Sequence, residues 1–342
     1  MAKKLRIGFD ISQLAHQGGV STYTQKLAEG LQEKKEIETV FFYSSLRKPY
    51  KGNLKAVKKF KLPPSLFELL FNKLRNVSIE KFLGPIDVYH SSDWVQPPSK
   101  SKRVTTYHDL VPLLHPEWTV SKIVDVHKRR LQLVEKEIDI VIAVSEATKK
   151  DLLKVSSIPS DKIVVIYEGV GDTFKIQSPK DIKMFRKKYQ LPEEFVLALG
   201  GIGERKNIKR LKIACKDVPL IVSGEDIERV SDEELPLLYA SARLLAYPSL
   251  YEGFGLPILE AQACGVPVVT SDVSSMPEIG GQGAAYVDPL DIEDIKKTIR
   301  KVFYDNEVRK NLIKEGLKNV KQFTWEKTVE QTIEVYKSLG GN

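Results

Sequence analysis

Residues 243 to 269 read RLLAYPSLYEGFGLPILEAQACGVPVV. The stretch opens on a short apolar run, RLLAYPS, and closes on another, VPVV, and ILEAQACG between them has helical character and stops at Gly265. Strand, helix, strand is the unit of a parallel sheet, because parallel neighbours need a crossover connection. The first strand runs into the loop LYEGFGLP, where Gly253 and Gly255 let the backbone approach a ligand closely and Pro257 suits a first helical position. Free amides at that helix start form an anion site. Glu252 hangs from the strand end and Glu260 lies about one turn into the helix, so two carboxylates flank one phosphate-sized position.

Carboxylates repel phosphate, so the pair is read as accepting hydrogen bonds from hydroxyls on either side of it. A nucleotide sugar has that layout, with ribose, diphosphate and hexose in sequence. Two glutamates alone would read as ordinary surface residues near a helix start. The Gly-Gly-Pro insert between them turns the reading toward a site.

Outward from this segment, strand and helix patterns alternate along the chain. On the amino-terminal side come strand LRIGFD, a helix over 21–31, and strands VFFYS, DVYHS, RVTTYHDL and IDIVIAVS, followed by the helical EATKKDLLKV and strand KIVVIYEGV. Residues 171 to 180, GDTFKIQSPK, break the rhythm as a linker does. The alternation then restarts with FVLALGG, a helix over 207–214, PLIVSG, a helix over 232–242, the opening segment, AAYVDP and helices from Ile292 onward. Two successive parallel α/β units predict two doubly wound domains facing across a cleft, with ligands beyond the carboxyl ends of the strands.

Three more strand-to-helix loops carry candidate residues. HQGGVSTY at 16–23 offers Gly18 and Gly19 at a helix mouth, and a tight turn without a ligand is an equally ordinary use of them. YHDL at 107–110 places His108 and Asp109 at a strand end, fit to hydrogen-bond a substrate, although a lone histidine is more often structural. GGIGERKN at 200–207 half matches a dinucleotide fingerprint, with Gly201-x-Gly203 and Glu225 further on. Lys206 occupies the place of the third glycine, where helix packing needs a small residue, and that weakens a nicotinamide reading. Arg205 and Lys206 instead suit phosphate, one as a planar fork and one as a point charge.

Bulk properties set outer limits. The 342 residues suffice for two domains, and no apolar run approaches the roughly 18 residues needed to cross a bilayer. The opening MAKKLRIGFDISQ is too briefly apolar for a signal-peptide core, so a cytoplasmic protein is expected. Cys215 and Cys264 give neither a disulfide framework nor a metal knuckle and are read as reduced core residues. The net charge of +8 is local, since Arg47 to Arg75 holds nine Lys or Arg against one acid. That segment ends in LFELLFNKLR, with Phe67, Leu70, Phe71 and Leu74 at helical spacing. Two readings stand: a basic amphipathic helix in peripheral contact with an anionic membrane surface, or a surface helix with its apolar side in the core. Nucleic acid is not expected, because the stretch has no recognisable binding motif.

With those residues in view, the segment from Pro248 through Asp288, with its EGFGLPILE core, closely resembles the signature of retaining glycosyltransferase family 4. Gly18-Gly19, His108-Asp109, AVSEATKKDL, Arg205-Lys206-Asn207 and the terminal FTWEKTVEQTIEVYKSL fall where that family has corresponding motifs, so the resemblance covers essentially the whole chain. It implies the GT-B fold, two Rossmann-like domains. The expected division is an acceptor-side domain over 1–172, a nucleotide-sugar domain over 173–322, and a last helix within 323–342 that crosses back onto the first domain. It also implies that Glu260 binds the ribose, that Glu252 binds a hydroxyl of the donor sugar, and that Arg205 and Lys206 hold the diphosphate with amides near Gly19. His108 would face the transferred sugar, and Phe254, Gly255 and Leu256 would give backbone contacts. The segment from Asn207 to Ser241 is shorter than the family pattern, and ALGGIGERKN is a glycine-rich form of its loop; the shortening bears on contacts to the base.

The chemistry can be framed in charge terms. Breaking a glycosidic bond to a diphosphate leaves negative charge that something must stabilise. No two aspartates lie two positions apart, so the usual Asp-x-Asp metal motif is absent, and Arg205, Lys206 and helix amides are expected to serve without a metal. No residue is a convincing covalent nucleophile, and a front-face transfer fits better. YHDLVPLLHPE and FTWEK look most like the mannosyltransferase branch, pointing to GDP-mannose with a UDP-sugar as the alternative, and to a glycan or lipid-linked acceptor. A sugar-nucleotide epimerase of the same architecture, a non-catalytic nucleotide-binding protein and an NAD oxidoreductase are the competing classes.

Overall fold

A computed structural model of the chain describes residues 4–16, 18–200 and 203–340, and of Pro64 the backbone alone. The chain forms two units, residues 1–168 with 325–342, and residues 169–324. The breaks fall after Glu168 and before Trp325, a few residues from the expected 172 and 322.

In the first unit seven parallel strands run β1 Leu5–Asp10, β2 Ile37–Ser44, β3 Val57–Phe60, β4 Val88–Ser91, β5 Lys102–Tyr107, β6 Ile140–Ala143 and β7 Ile163–Val165. Their spatial order is β3-β2-β1-β4-β5-β6-β7. Successive side chains of a strand point to opposite faces, and β2 shows this directly. Phe41 and Tyr43 join a core with Ile7, Phe9 and Leu27, while Val40 and Phe42 join a second core with Phe67, Phe71 and Tyr89. Apolar cores on both faces are what a doubly wound sheet requires.

Two elements differ from the sequence expectation. β3 was not anticipated, because its VKKF places two exposed lysines on a four-residue edge strand. The helix expected in LFELLFNKLR is one α-turn, Pro64–Phe67, followed by a π-helical segment, Glu68–Leu74. Phe67 and Phe71 stack within it at 5.3 Å and are buried. Its apolar side is therefore in the core, as in the second of the two readings, and Leu69 and Leu74 stay exposed.

The C-terminal helix, Trp325–Gly340, belongs to the first unit and packs on the helix Gly19–Glu33. Val329, Ile333 and Tyr336 recur at helical spacing and are buried there, and the Thr328 hydroxyl donates to the Tyr167 carbonyl at 2.7 Å. Gly30 makes the close approach possible. A Cβ built on it would lie 2.4 Å from Val329 Cγ2.

The second unit has five parallel strands, β8 Val196–Leu199, β9 Leu220–Ser223, β10 Leu244–Tyr247, β11 Val268–Ser271 and β12 Ala284–Val287, in the order β12-β11-β10-β8-β9. Val196, Ala198, Leu244, Ala246 and Val269 pack against the helices Ile208–Ala214, Ile292–Tyr304 and Asn306–Asn319. Asp291 and Asp305 cap the last two, each accepting two backbone N–H groups. β10 is central, so the loop after it emerges from the middle of the sheet.

Gly30→Ala tests the close helix pairing. In an unobstructed helix the change would stabilise by about 1 kcal/mol. Here a loss of about 1 to 3 kcal/mol is expected from overpacking, with Val329→Ala in the same chain restoring it, measured by denaturant unfolding. A stabilised single variant would contradict the packing.

Candidate active site

The loop after β10 is held by its neighbours rather than by its own sequence. The Ser274 hydroxyl donates to the Glu252 carbonyl at 2.5 Å, and the Ser275 hydroxyl lies between the Glu252 and Phe254 carbonyls at 2.9 and 2.7 Å. Phe254 is buried edge-on to Phe323. Gly255 then turns the chain at φ +109° into the helix Leu256–Ala263, a conformation L side chains rarely adopt, and Pro257 sits in the first turn.

A second turn is locked to this loop. Glu204–Lys206 forms one 3-10 turn, entered at Gly203 with φ +109° and left at Asn207 with φ +58°. Asn207 is buried, and its amide donates to the carbonyls of Pro248 at 3.0 Å and Pro289 at 2.6 Å. Leu250 N–H bonds the Arg205 carbonyl at 2.8 Å.

These two loops bring Arg205, Lys206 and Glu252 into direct contact. Arg205 Nη1 lies 3.0 Å from Glu252 Oε2, and Lys206 Nζ lies 2.8 Å from Oε1. Lys206 Nζ also donates to the Tyr247 hydroxyl and stands 4.5 Å from the centroid of that ring. Burial pushes the Glu252 carboxyl up, but Lys206 and Arg205 outweigh it and hold the group below its ordinary value of 4.5. Within the protein itself, both carboxylate oxygens of Glu252 are engaged by the basic pair. Burial, then Glu252, raises the Tyr247 phenol well above its usual range, so it stays protonated.

The other anticipated residues are placed as follows. Glu260 accepts a hydrogen bond from the buried Tyr239 hydroxyl at 2.7 Å. Gly201 lies outside the described residues, and Glu225, the acid of the half-matched dinucleotide pattern, is paired with Lys212 on the surface. In the first unit Gly18, at φ +114°, precedes the helix that starts at Gly19, and both glycines are exposed. Asp109 Oδ1 accepts the Val111 N–H at 3.0 Å and so shapes the turn after β5. His108 Nδ1 lies 3.1 Å from Oε1 of Glu168, which is 3% exposed. Sequence reasoning missed Glu168, Tyr239, Tyr247, Ser274 and Ser275. Glu168 alone carried a signal, as an acid in YEGV after an apolar strand. Among the described residues there is no group of three or more His, Cys, Asp or Glu placed to hold a metal ion.

Comparisons with known proteins place the chain in a family. The family model described as "Glycosyltransferase Family 4" matches residues 17–173, and "Glycosyl transferases group 1" matches 182–319. The chain is 34% identical over 283 residues to "O-antigen chain mannosyltransferase B" of Escherichia coli, covering 74% of each protein. It is 30% identical over 274 residues to "Serotype-specific mannosyltransferase WbdA" of Escherichia coli, covering 70% of this chain and 34% of that protein. Sucrose-phosphate synthase from Thermosynechococcus elongatus has the same fold at a TM-score of 0.79, with 21% identity and 98% and 99% of the two chains covered.

Two parallel-sheet α/β units with these matches define a glycosyltransferase of the GT-B fold. The chain belongs to glycosyltransferase family 4 and is a hexosyltransferase, which sets aside the epimerase, nicotinamide and non-catalytic readings.

Glu252→Gln tests the electrostatics. Near neutrality the variant is expected to be less stable by about 2 kcal/mol, below the range for fully buried pairs because Arg205 and Lys206 are partly exposed. The folded carboxyl is depressed, so its contribution is present above its unfolded value and lost as pH falls through the folded one. The gap between wild type and variant should therefore close as the solution is acidified below about pH 4. A gap independent of acid pH in thermal melts would contradict it.

Proposed function

We propose that this chain is a retaining mannosyltransferase that moves a mannosyl group from GDP-mannose to a glycan or lipid-linked acceptor without a metal ion. The observation that carries the reading is the triad of Arg205, Lys206 and Glu252 at the mouth of the loop that leads into the helix Leu256–Ala263. Glu252 keeps two cations beside one another that would otherwise repel, and a diphosphate arriving there meets preorganised charge. The names of the curated relatives support mannose as the sugar, and a UDP-sugar is the alternative that a ligand panel resolves.

In the proposed reaction the bond from the sugar's anomeric carbon to the diphosphate oxygen breaks, and Arg205, Lys206 and helix amides take up the charge of the leaving group. The acceptor hydroxyl forms the new bond on the same face and gives its proton to the departing phosphate oxygen, which retains configuration. Glu260 is assigned to the ribose, Phe254, Gly255 and Leu256 to backbone contacts, and in the first unit Gly18 and Gly19 to amide contacts and His108 to the transferred sugar.

For the acceptor, the loop after β2 and the helix Gly19–Glu33 enclose a cavity of about 660 Å³ with Gln25, Glu29, Arg47, Lys48, Tyr50 and Lys51 in its wall. Amides, a carboxylate, an aromatic face and cations suit an anionic or lipid-diphosphate-linked glycan. Residues 47–75 are proposed to rest against an anionic membrane surface through their lysines and the exposed Leu69 and Leu74. No helix among the described residues is long and apolar enough to cross a membrane.

Three measurements check this. Thermal-shift screening against GDP, UDP, ADP and their sugars should single out GDP and GDP-mannose, and Arg205→Ala should lower turnover with the selected donor by about a hundredfold or more with the fold intact. Near-normal turnover of that variant would contradict the site. Co-sedimentation with vesicles should rise with their anionic lipid content, and no dependence would remove the membrane contact.

A further inference from the structure

Within the first unit a buried polar chain runs from the C-terminal helix to the end of β5. The Tyr336 hydroxyl meets His90 Nδ1 at 2.6 Å, His90 Nε2 meets Thr106 Oγ1 at 2.9 Å, and Thr106 Oγ1 meets the Tyr23 hydroxyl at 3.0 Å. Burial keeps His90 neutral, its pKa lowered to about 3. The Tyr23 ring stands edge-on to His108, with centroids 4.6 Å apart at 78°, so one plane of the imidazole is fixed from the side. Glu168 fixes it from the other direction, at Nδ1.

We infer that Glu168 is a positioning residue that sets the tautomer of His108. An ionised carboxylate can only accept, so the bond at 3.1 Å requires the proton of the neutral ring to sit on Nδ1. Nε2 is then a lone-pair acceptor. A carboxylate as buried as Glu168 is costly unless a donor meets it, and among the described residues the donor is His108. The inference rests on the assignment of His108 to the transferred sugar. There the Nε2 lone pair accepts a hydrogen bond from a hexose hydroxyl. It also tolerates the positive character that the anomeric centre gains in an oxocarbenium-like transition state, where an N–H at Nε2 would point a positive edge at it. The logic is that of a carboxylate behind a catalytic imidazole, although here the ring binds and orients rather than moving a proton.

Nitrogen-15 NMR of the imidazoles of the whole chain, with the His108 signal identified by its loss in His108→Ala, reads the tautomer without any substrate. Wild type should show Nδ1 protonated and Nε2 bare, and Glu168→Ala should shift His108 toward the Nε2–H form. With donor and acceptor present, Glu168→Ala should lower kcat about ten- to a hundredfold, the range for removing a group that holds an imidazole. The donor KM should stay within about twofold, and nucleoside diphosphate binding should not change. Glu168→Gln, close in shape, should fall between the two and carries the comparison if the alanine variant fails to fold.

An Nε2–H ring in wild type, an unchanged tautomer in Glu168→Ala, or full turnover of that variant while His108→Ala is inactive would each overturn the inference. Full turnover of His108→Ala would instead show that the histidine does not serve the sugar at all. That result would sink the underlying assignment, and the positioning role with it.

Discussion

A carboxylate taken out of water must be matched by cations or donors, and Glu252, at 6% exposure, is matched by Arg205 and Lys206 together. Most of the second unit's site follows from satisfying that one group. The serines at 274 and 275 hold the backbone that presents it, and Asn207 ties the turn bearing the two cations to Pro248, just past the end of β10. Tyr247, at the end of the central strand, receives the lysine from below. The constraint runs both ways, since two adjacent cations would repel in the absence of their shared counter-ion. The result is a concentration of positive charge that is fixed before any ligand arrives, which is the condition under which charge stabilises a leaving group most cheaply.

The first unit meets the same constraint mostly with neutral groups. Its buried histidine, tyrosine and threonine side chains satisfy one another in sequence, and the last link is an imidazole held by a carboxylate. The C-terminal helix contributes Tyr336 to that network and closes on the first helix through Gly30, where a side chain would not fit. A segment that ends the chain thereby supports residues drawn from β4, β5 and the first helix. Stability and placement of polar groups are the same problem in this unit.

Much of this was legible in the sequence because its signals are local. Strand and helix runs alternate at short range, so the two parallel sheets follow from periodicity, and the glycines at 253 and 255 with Pro257 mark a strand-to-helix turn wherever they occur. Arg205 and Lys206 were readable as an adjacent basic pair at a helix mouth for the same reason. What escaped were the partners. Glu168 lies 60 residues from His108, and Glu252 lies 46 from Lys206, so each bond depends on how strands are ordered in a sheet rather than on spacing. The contacts of Glu252 with Arg205 and Lys206 were therefore not legible. The π-helical segment at Glu68–Leu74 escaped because its repeat of apolar residues mimics an α-helix, and β3 because its lysines mask a short edge strand.

The charge built around Glu252 is central to the account, and it makes a direct statement about metal. Calorimetric titration of the nucleoside diphosphate product into the protein, once in EDTA and once in excess magnesium, measures whether fixed side-chain charge suffices to bind it. Affinities within about twofold of one another, with magnesium effects no larger than ionic strength explains, are the expected result. Binding that vanishes in EDTA and returns with magnesium would contradict it.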